Sequence, residues 1–292
     1  MGEEHPGGRL MVAGAESCIE WTCGDGLRLH VRRWQPPGRA RALVVVAHGF
    51  VEHGGRYAEL AQRLNLSHMA VWIPDCRGHG RSQGSRIWVD RFDRYVDDFL
   101  GVVGEARREH PGLPVFFVGH SMGGLVATLA SLTEGACANG LILSAPAVGL
   151  AKGLFPWLRR LAGWASRLLP RLRLARMGSA MLTRDPRVLA EFRNDPLVYH
   201  GRIPSRTGAE ILRACGEARR AAARVRLPVL ILQGTADAVV SAAEVQRFYD
   251  ELSSGDKTLR LYPGLYHDLP REPERQTLLA ELAAWIEQRC GG

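Results

Sequence analysis

Five short, nearly continuous apolar runs recur along the chain: ALVVVA (Ala42 to Ala47), AVWIP (Ala70 to Pro74), VFFV (Val115 to Val118), LIL (Leu141 to Leu143) and VLIL (Val229 to Leu232). Runs this short, rich in Val, Ile and Phe and each leading into a turn-rich loop, predict strands buried on both faces, as in a parallel sheet covered by helices. Ahead of them, Cys18 to Trp21 and Leu27 to Trp34 flank Gly24-Asp25-Gly26, which predicts an antiparallel hairpin at the sheet edge. Leu259 to Tyr262 reads as the last strand. Helical patterns fill the intervals at Arg56 to Leu64, Val89 to Glu109, Met122 to Thr133, Ala242 to Leu252 and Glu274 to Gln288. Alternation of this kind predicts an α/β fold with a mostly parallel central sheet flanked by helices.

The alternation stops between Val148 and about Arg226. There Phe155, Trp157, Leu158, Leu161, Trp164, Leu168, Leu169 and Leu172 are interleaved with arginines and broken by Pro156 and Pro170. This pattern predicts a helical cap, about 148–226, inserted into a single domain that spans residues 1–292. With 46% apolar and 23% charged residues, the chain has the balance of a soluble globular domain.

Charge changes the picture of the cap. Residues 150–226 hold 17 Lys/Arg against 5 Asp/Glu, so all of the chain's net charge of +8 belongs to the insertion and the remainder is acidic. No nucleic-acid-binding motif accompanies that charge. Arginines among leucines and tryptophans suit peripheral contact with an anionic membrane, the apolar groups entering the acyl region and the guanidinium groups meeting phosphates. The bland alternative is a face that packs on the core with its arginines in water.

No run of about 18 or more uncharged apolar residues predicts a membrane-spanning helix. The opening MGEEHPGGRL carries acid and proline where a secretory signal needs a basic start and an apolar stretch, and Pro6 stands where N-myristoylation requires Ser or Thr. A cytoplasmic chain is expected, with the scattered Cys18, Cys23, Cys76, Cys137, Cys215 and Cys290 as reduced thiols. No spacing of His, Cys and acids predicts a metal site, and no cofactor is expected.

The chemistry is carried by Gly119-His120-Ser121-Met122-Gly123-Gly124, which directly follows a predicted strand and opens a predicted helix. Gly-x-Ser-x-Gly in that context is a nucleophile elbow, whose small neighbours let strand and helix approach while the serine is lifted clear. A serine hydroxyl needs a histidine base, and the base needs a carboxylate to hold its tautomer. Asp237, after VLIL, and His267, after the last strand, come in the expected order. Asp75 also ends a strand but precedes the serine, and is read as fixing the Arg77-Gly78-His79-Gly80 loop; Asp268 is read as pointing away from the triad. Negative charge developing on a substrate oxygen calls for two aimed N–H donors. Met122 offers one at a helix N-terminus, and Phe50, in His48-Gly49-Phe50 after ALVVVA, offers the second.

These segments resemble the monoacylglycerol lipase and lysophospholipase-like group of α/β-hydrolases. The likeness runs through His48 to Tyr57, Asp75 to Ser82, Gly119 to Gly124, Asn194 to Tyr199, Gly234 to Asp237 and Pro263 to His267, from about position 17 to 289. It implies the α/β-hydrolase fold, the triad Ser121, Asp237 and His267, and an oxyanion hole at Phe50 and Met122. It further implies that Glu52 and Arg56 brace the site and that His120 lies at the polar end of the pocket. Phe155, Trp157, Leu158 and Leu161 would line an acyl tunnel. Phe192 occupies the place where the group carries a glycerol-binding tyrosine. The implied activity is hydrolysis of the ester of a monoacylglycerol or lysophospholipid through an acyl-enzyme. Thioester or peptide hydrolysis on the same triad, acyl transfer to an alcohol, and a non-catalytic lipid-binding role are the alternatives.

Overall fold

The computed structural model describes residues 14–149, 166–178 and 182–290. Its frame is an eight-stranded sheet. The edge hairpin is formed by β1 (Glu16–Thr22) and β2 (Arg28–Trp34), paired antiparallel. The body of the sheet is β3 (Ala42–Ala47), β4 (Met69–Pro74), β5 (Val115–His120) and β6 (Gly140–Ser144). The cap contributes a separate antiparallel pair, β7 (Arg173–Ala175) with β8 (Ile203–Pro204). The main sheet closes with β9 (Val229–Gly234) and β10 (Lys257–Tyr262) and runs in the order β1-β2-β4-β3-β5-β6-β9-β10. Every pairing from β4 to β10 in that order is parallel. The α/β-hydrolase reading holds.

The five apolar runs are buried along their whole length. Side chains alternate across a strand, so β3 feeds both cores: Leu43, Val45 and Ala47 pack on one face, Ala42, Val44 and Val46 on the other. Each fully buried Val or Leu contributes about 1.5–3 kcal/mol, which is why a sheet with two covered faces needs no alternation in its sequence. The covering helices are α1 (Ala58–Leu66), α2 (Asp93–Glu109), α3 (Met122–Ser131), α6 (Ala242–Glu251) and α7 (Arg275–Glu287), with α4 (Pro186–Asn194) and α5 (Ser205–Arg220) in the insertion. The α2 helix begins four residues later than its periodicity predicts, because Val89 and Phe92 are buried in a loop whose amides bond Thr207 and Glu210 instead of continuing a helix. The described part of the cap is not purely helical, since β7 and β8 pair within it.

The strand order places the site. From β3 the chain crosses to β4 on one side and then returns to β5 on the other, so β3 and β5 are neighbours whose following loops diverge. Such a switch point opens a crevice at the carboxyl ends of the strands. Ala47 pairs with Gly119 in register, which brings the loop after β3 alongside Ser121.

Candidate active site

Ser121 stands between β5 and α3 with φ 52° and ψ −116°, a conformation that an L-residue holds only under strain of about 1–3 kcal/mol. The glycines beside it are required by close approach. A Cβ at Gly119 would lie 2.3 Å from the Gly123 carbonyl oxygen, and one at Gly123 would lie 2.0 Å from that of Ala47. The Ser121 amide is anchored on the Ser144 carbonyl at 3.0 Å, tying the elbow to the end of β6.

His267 completes a chain of hydrogen bonds: Nε2 lies 2.9 Å from Ser121 Oγ, and Nδ1 lies 2.8 Å from Asp237 Oδ2. His267 is buried and follows β10, while Asp237 follows β9. The two loops can meet because Gly234 lacks a side chain; a Cβ there would be 2.3 Å from the Leu265 carbonyl oxygen. Asp237 Oδ1 accepts the amides of Val239 and Val240 at 2.7 and 2.9 Å. Burial pushes the Asp237 carboxyl up, but the hydrogen bond and charge of His267 outweigh it, helped by the Val240 amide and Gln233, and hold it below the usual range. The carboxylate therefore stays ionised and faces a ring that can receive the serine proton.

The amides of Phe50 and Met122 have no hydrogen-bond partner among the described residues. Both residues are buried, and Phe50 lines a cavity of about 20 Å³ together with Gly49, Ser121, His120 and His267. Glu52, Phe192, Asp268, Met177 and Leu182 complete its wall.

Glu52 and Arg56 belong to a buried hydrogen-bond network beside this site. Glu52 Oε1 accepts the Gly49 amide at 2.7 Å and the Tyr57 hydroxyl at 2.5 Å, while Oε2 accepts Arg56 Nε at 3.1 Å. Burial disfavours the Glu52 charge; Arg56, with the hydrogen bond from Tyr57, overcomes that and holds the carboxyl at about 2. Arg56 also donates to Asp268 Oδ2 at 3.2 Å, so the residue beside the histidine turns away from the triad but lines the pocket and fixes the His267 loop. The ring of Phe192 lies 4.9 Å under the Arg56 guanidinium and presents no hydroxyl to the cavity. His120 donates Nδ1–H to the Ser144 carbonyl at 3.1 Å; burial and the nearby His267 lower its pKa, so it is neutral and can accept a hydrogen bond at Nε2. Phe155, Trp157, Leu158 and Leu161 lie outside the described residues.

Asp75 fixes a loop as expected, accepting the amides of Gly54 and Arg81 at 2.7 and 2.8 Å. Among the described residues, bonds that join the cap to the site include His53 Nε2 to Asp195 Oδ2 at 2.8 Å, the Tyr199 amide to the Val51 carbonyl, and the Asp268 amide to the Leu182 carbonyl. Sequence reasoning missed Gln233, which is fully buried and donates Nε2 to Asp237 Oδ2 at 3.1 Å. Its one signal was a polar residue at the end of an otherwise apolar strand. No group of His, Cys, Asp and Glu suited to a metal is present among the described residues. All six cysteines lie among the described residues, and none of them forms a disulfide there.

Comparison with known proteins decides the family. The family model described as serine aminopeptidase, S33 (Hydrolase_4) matches residues 38–274. The chain belongs to this family. Among its relatives, the hydrolase is 33% identical over 276 residues to the monoacylglycerol lipase of Mycolicibacterium smegmatis, covering 94% of this chain and 99% of that one. It is 37% identical over 268 residues to the monoglyceride lipase of Rattus norvegicus, covering 91% and 88%. The crystal structure of Paleococcus ferrophilus monoacylglycerol lipase superposes with a TM-score of 0.80 at 29% identity, covering 89% of this hydrolase and 99% of that chain.

Proposed function

We propose that this hydrolase cleaves the carboxylic ester of a monoacyl lipid through an acyl-enzyme, with Ser121 as nucleophile, His267 as base and Asp237 as its orienting acid. The observation that carries the reading is the unbroken chain from Ser121 Oγ through His267 to an ionised Asp237, in a protein similar over nearly its full length to monoacylglycerol lipases. As Ser121 attacks the ester carbon, its proton passes to His267 Nε2, and the oxyanion is received by the Phe50 and Met122 amides. Collapse transfers the proton to the departing alcohol. A water then gives its proton to His267, attacks the acyl carbon and releases the fatty acid.

The pocket supports an ester over a peptide with a free amino terminus. Recognition of an ammonium group needs an uncommitted carboxylate. Glu52 already accepts three donors and Asp268 is paired with Arg56. At the alcohol end, Phe192 replaces a hydroxyl with a ring face, so hydrogen bonding to a glycerol would fall to His120, whose Nε2 can accept.

The cap is proposed as a peripheral membrane contact. No helix among the described residues is long and apolar enough to cross a bilayer. Of the five large hydrophobic side chains that are exposed among the described residues, four, Leu168, Leu169, Leu172 and Leu174, fall within seven residues of the cap, with Arg171 and Arg173 between them.

Turnover of a panel of monoacylglycerols, lysophospholipids and acyl thioesters, together with fluorophosphonate labelling, tests the function. The expected result is preferred hydrolysis of monoacylglycerol or lysophospholipid and loss of labelling in Ser121→Ala. Labelling of Ser121→Ala at the wild-type rate would overturn it.

A further inference from the structure

The segment that carries the catalytic base is held from two sides. Before His267, the Leu265 carbonyl accepts the Ala236 amide at 3.1 Å, which ties the segment to the Asp237 loop. After it, the Asp268 amide donates to the Leu182 carbonyl at 2.7 Å, so the second tie is to the cap. Leu182 also stands in the cavity wall beside Ser121.

Glu272 reinforces the second tie, and no step of the proposed reaction passes through it. From His267 the chain turns tightly through Leu269–Arg271 and brings Glu272 back to the residue that precedes the base. The side chain is fully buried. Its Oε1 accepts the Tyr266 amide at 3.3 Å and the Arg184 amide at 3.1 Å, while Oε2 accepts Arg184 Nε at 2.8 Å. One carboxylate thus joins the backbone just before His267 to a cap residue two places past Leu182. Between them, Thr183 donates its hydroxyl to the Arg271 carbonyl at 3.2 Å. Three consecutive cap residues therefore form a strap across residues 266–272.

Charge makes this strap a condition and not only a contact. A carboxylate taken out of water is tolerated when it is paired and hydrogen-bonded, and its loss of a partner is costly. Arg184 is the cationic partner; its guanidinium is one-third exposed and also reaches Glu274. Hydrogen bonds to Glu274 and Glu272 raise the Arg184 pKa, so it stays charged. Lifting the strap would strand the Glu272 charge inside the protein and remove the cap's hold on the backbone at both Tyr266 and Asp268.

We infer that Glu272 is a positioning residue for the catalytic base and that Arg184 makes its action conditional on the cap: His267 is held against Ser121 while residues 182–184 are seated on Glu272. The inference rests on the proposed ester hydrolysis and assigns what holds the base within it. Seating of the cap and readiness of the base are then one structural state.

The test uses the full-length protein and a soluble short-chain monoacylglycerol. Glu272→Leu removes the three hydrogen bonds and leaves Arg184 free to turn to Glu274 and water. Its kcat is expected to fall by about 10²-fold, the effect of misplacing a reacting group by roughly 1 Å, with KM changing less than about threefold. Glu272→Gln keeps one oxygen to accept both amides and should recover at least about tenfold of that loss. A merely structural role would leave the ring in place, so the 15N resonances of His267 should move in Glu272→Leu and return in Glu272→Gln. A wild-type kcat in folded Glu272→Leu, a loss confined to KM, or a lost rate with unmoved His267 resonances would overturn the role. Hydrogen exchange in the wild type needs no variant: the Arg184 and Tyr266 amides share Oε1 and should open in one step, with protection within about tenfold of each other. A wider gap would overturn the coupling of cap to base. Absence of ester turnover and of Ser121 labelling in the wild type would instead refute the hydrolase reading, and the exchange result stands apart from it.

Discussion

Gln233 and His267 donate to the same oxygen of Asp237, Oδ2, at 3.1 and 2.8 Å. A carboxylate oxygen shared in this way is fixed in rotation by one donor that carries no charge and one that takes on charge during the reaction. Replacing Gln233 with Leu removes the neutral donor. The carboxylate then becomes more basic and holds a protonated His267 more tightly. Gln233→Leu should lower kcat about tenfold and move the acidic limb of the kcat/KM profile to higher pH. A rate loss with an unmoved limb would mean that Gln233 serves the fold and not the base.

The elbow stores strain that the reaction needs and the fold does not. Glycine tolerates the Ser121 backbone angles, and alanine does not. Ser121→Gly should therefore be more stable than Ser121→Ala by about 1 kcal/mol, although both are inactive. Denaturant unfolding of the two variants measures this; equal stabilities would mean that neighbouring segments relax around the turn.

Acid should weaken the protein through Glu52. Its carboxyl is held at about 2 in the fold against an ordinary value of 4.5. A lowered pKa contributes stability that is complete above pH 4.5 and is lost as pH falls through about 2. Glu52→Gln should flatten the fall of the unfolding temperature across that window and be less stable at pH 7, where Arg56 keeps only Asp268. An unchanged slope between pH 4.5 and 2 would place the acid sensitivity elsewhere.

Membrane docking predicts that the hydrolase co-sediments with vesicles containing anionic lipid and that salt releases it. Leu168 is 72% and Leu169 59% exposed. Changing both to Ser should weaken vesicle binding by about tenfold or more, since burial of each leucine contributes about 1.5–3 kcal/mol when complete. Turnover of a soluble short-chain ester should not change. Binding indifferent to lipid charge, salt and these leucines would return the cap to a packed, solvated face.

The parts of the site legible in the sequence are those that follow a recognisable strand. Ser121 and Asp237 each occupy a loop immediately beyond an apolar run and His267 follows the last strand, so topology alone limited the candidates. Asp268 was harder: adjacency to His267 suggested that it turns away, and only the fold shows that this direction leads to Arg56, 212 positions earlier in the chain. Gln233 was illegible for another reason. It is a polar residue one position before the end of a buried strand, where a sequence pattern registers only the end of an apolar run. The β7–β8 pair was invisible because two or three residues give no period, and the start of α2 shifted because tertiary bonds to Thr207 and Glu210 claimed its predicted first turn.

The insertion leaves the sheet after β6 and rejoins it at β9, and these two strands are immediate neighbours, with Ile142 opposite Leu230. The two strands are parallel, so the chain leaves at the carboxyl end of β6 and rejoins at the amino end of β9, and α5 lies on the crossover that carries it back. For engineering, a cap exchanged with a relative has to leave that crossover in place: Ile211, Ala214 and Ala218 of α5 are buried in the main core, so the cut belongs before Ser205.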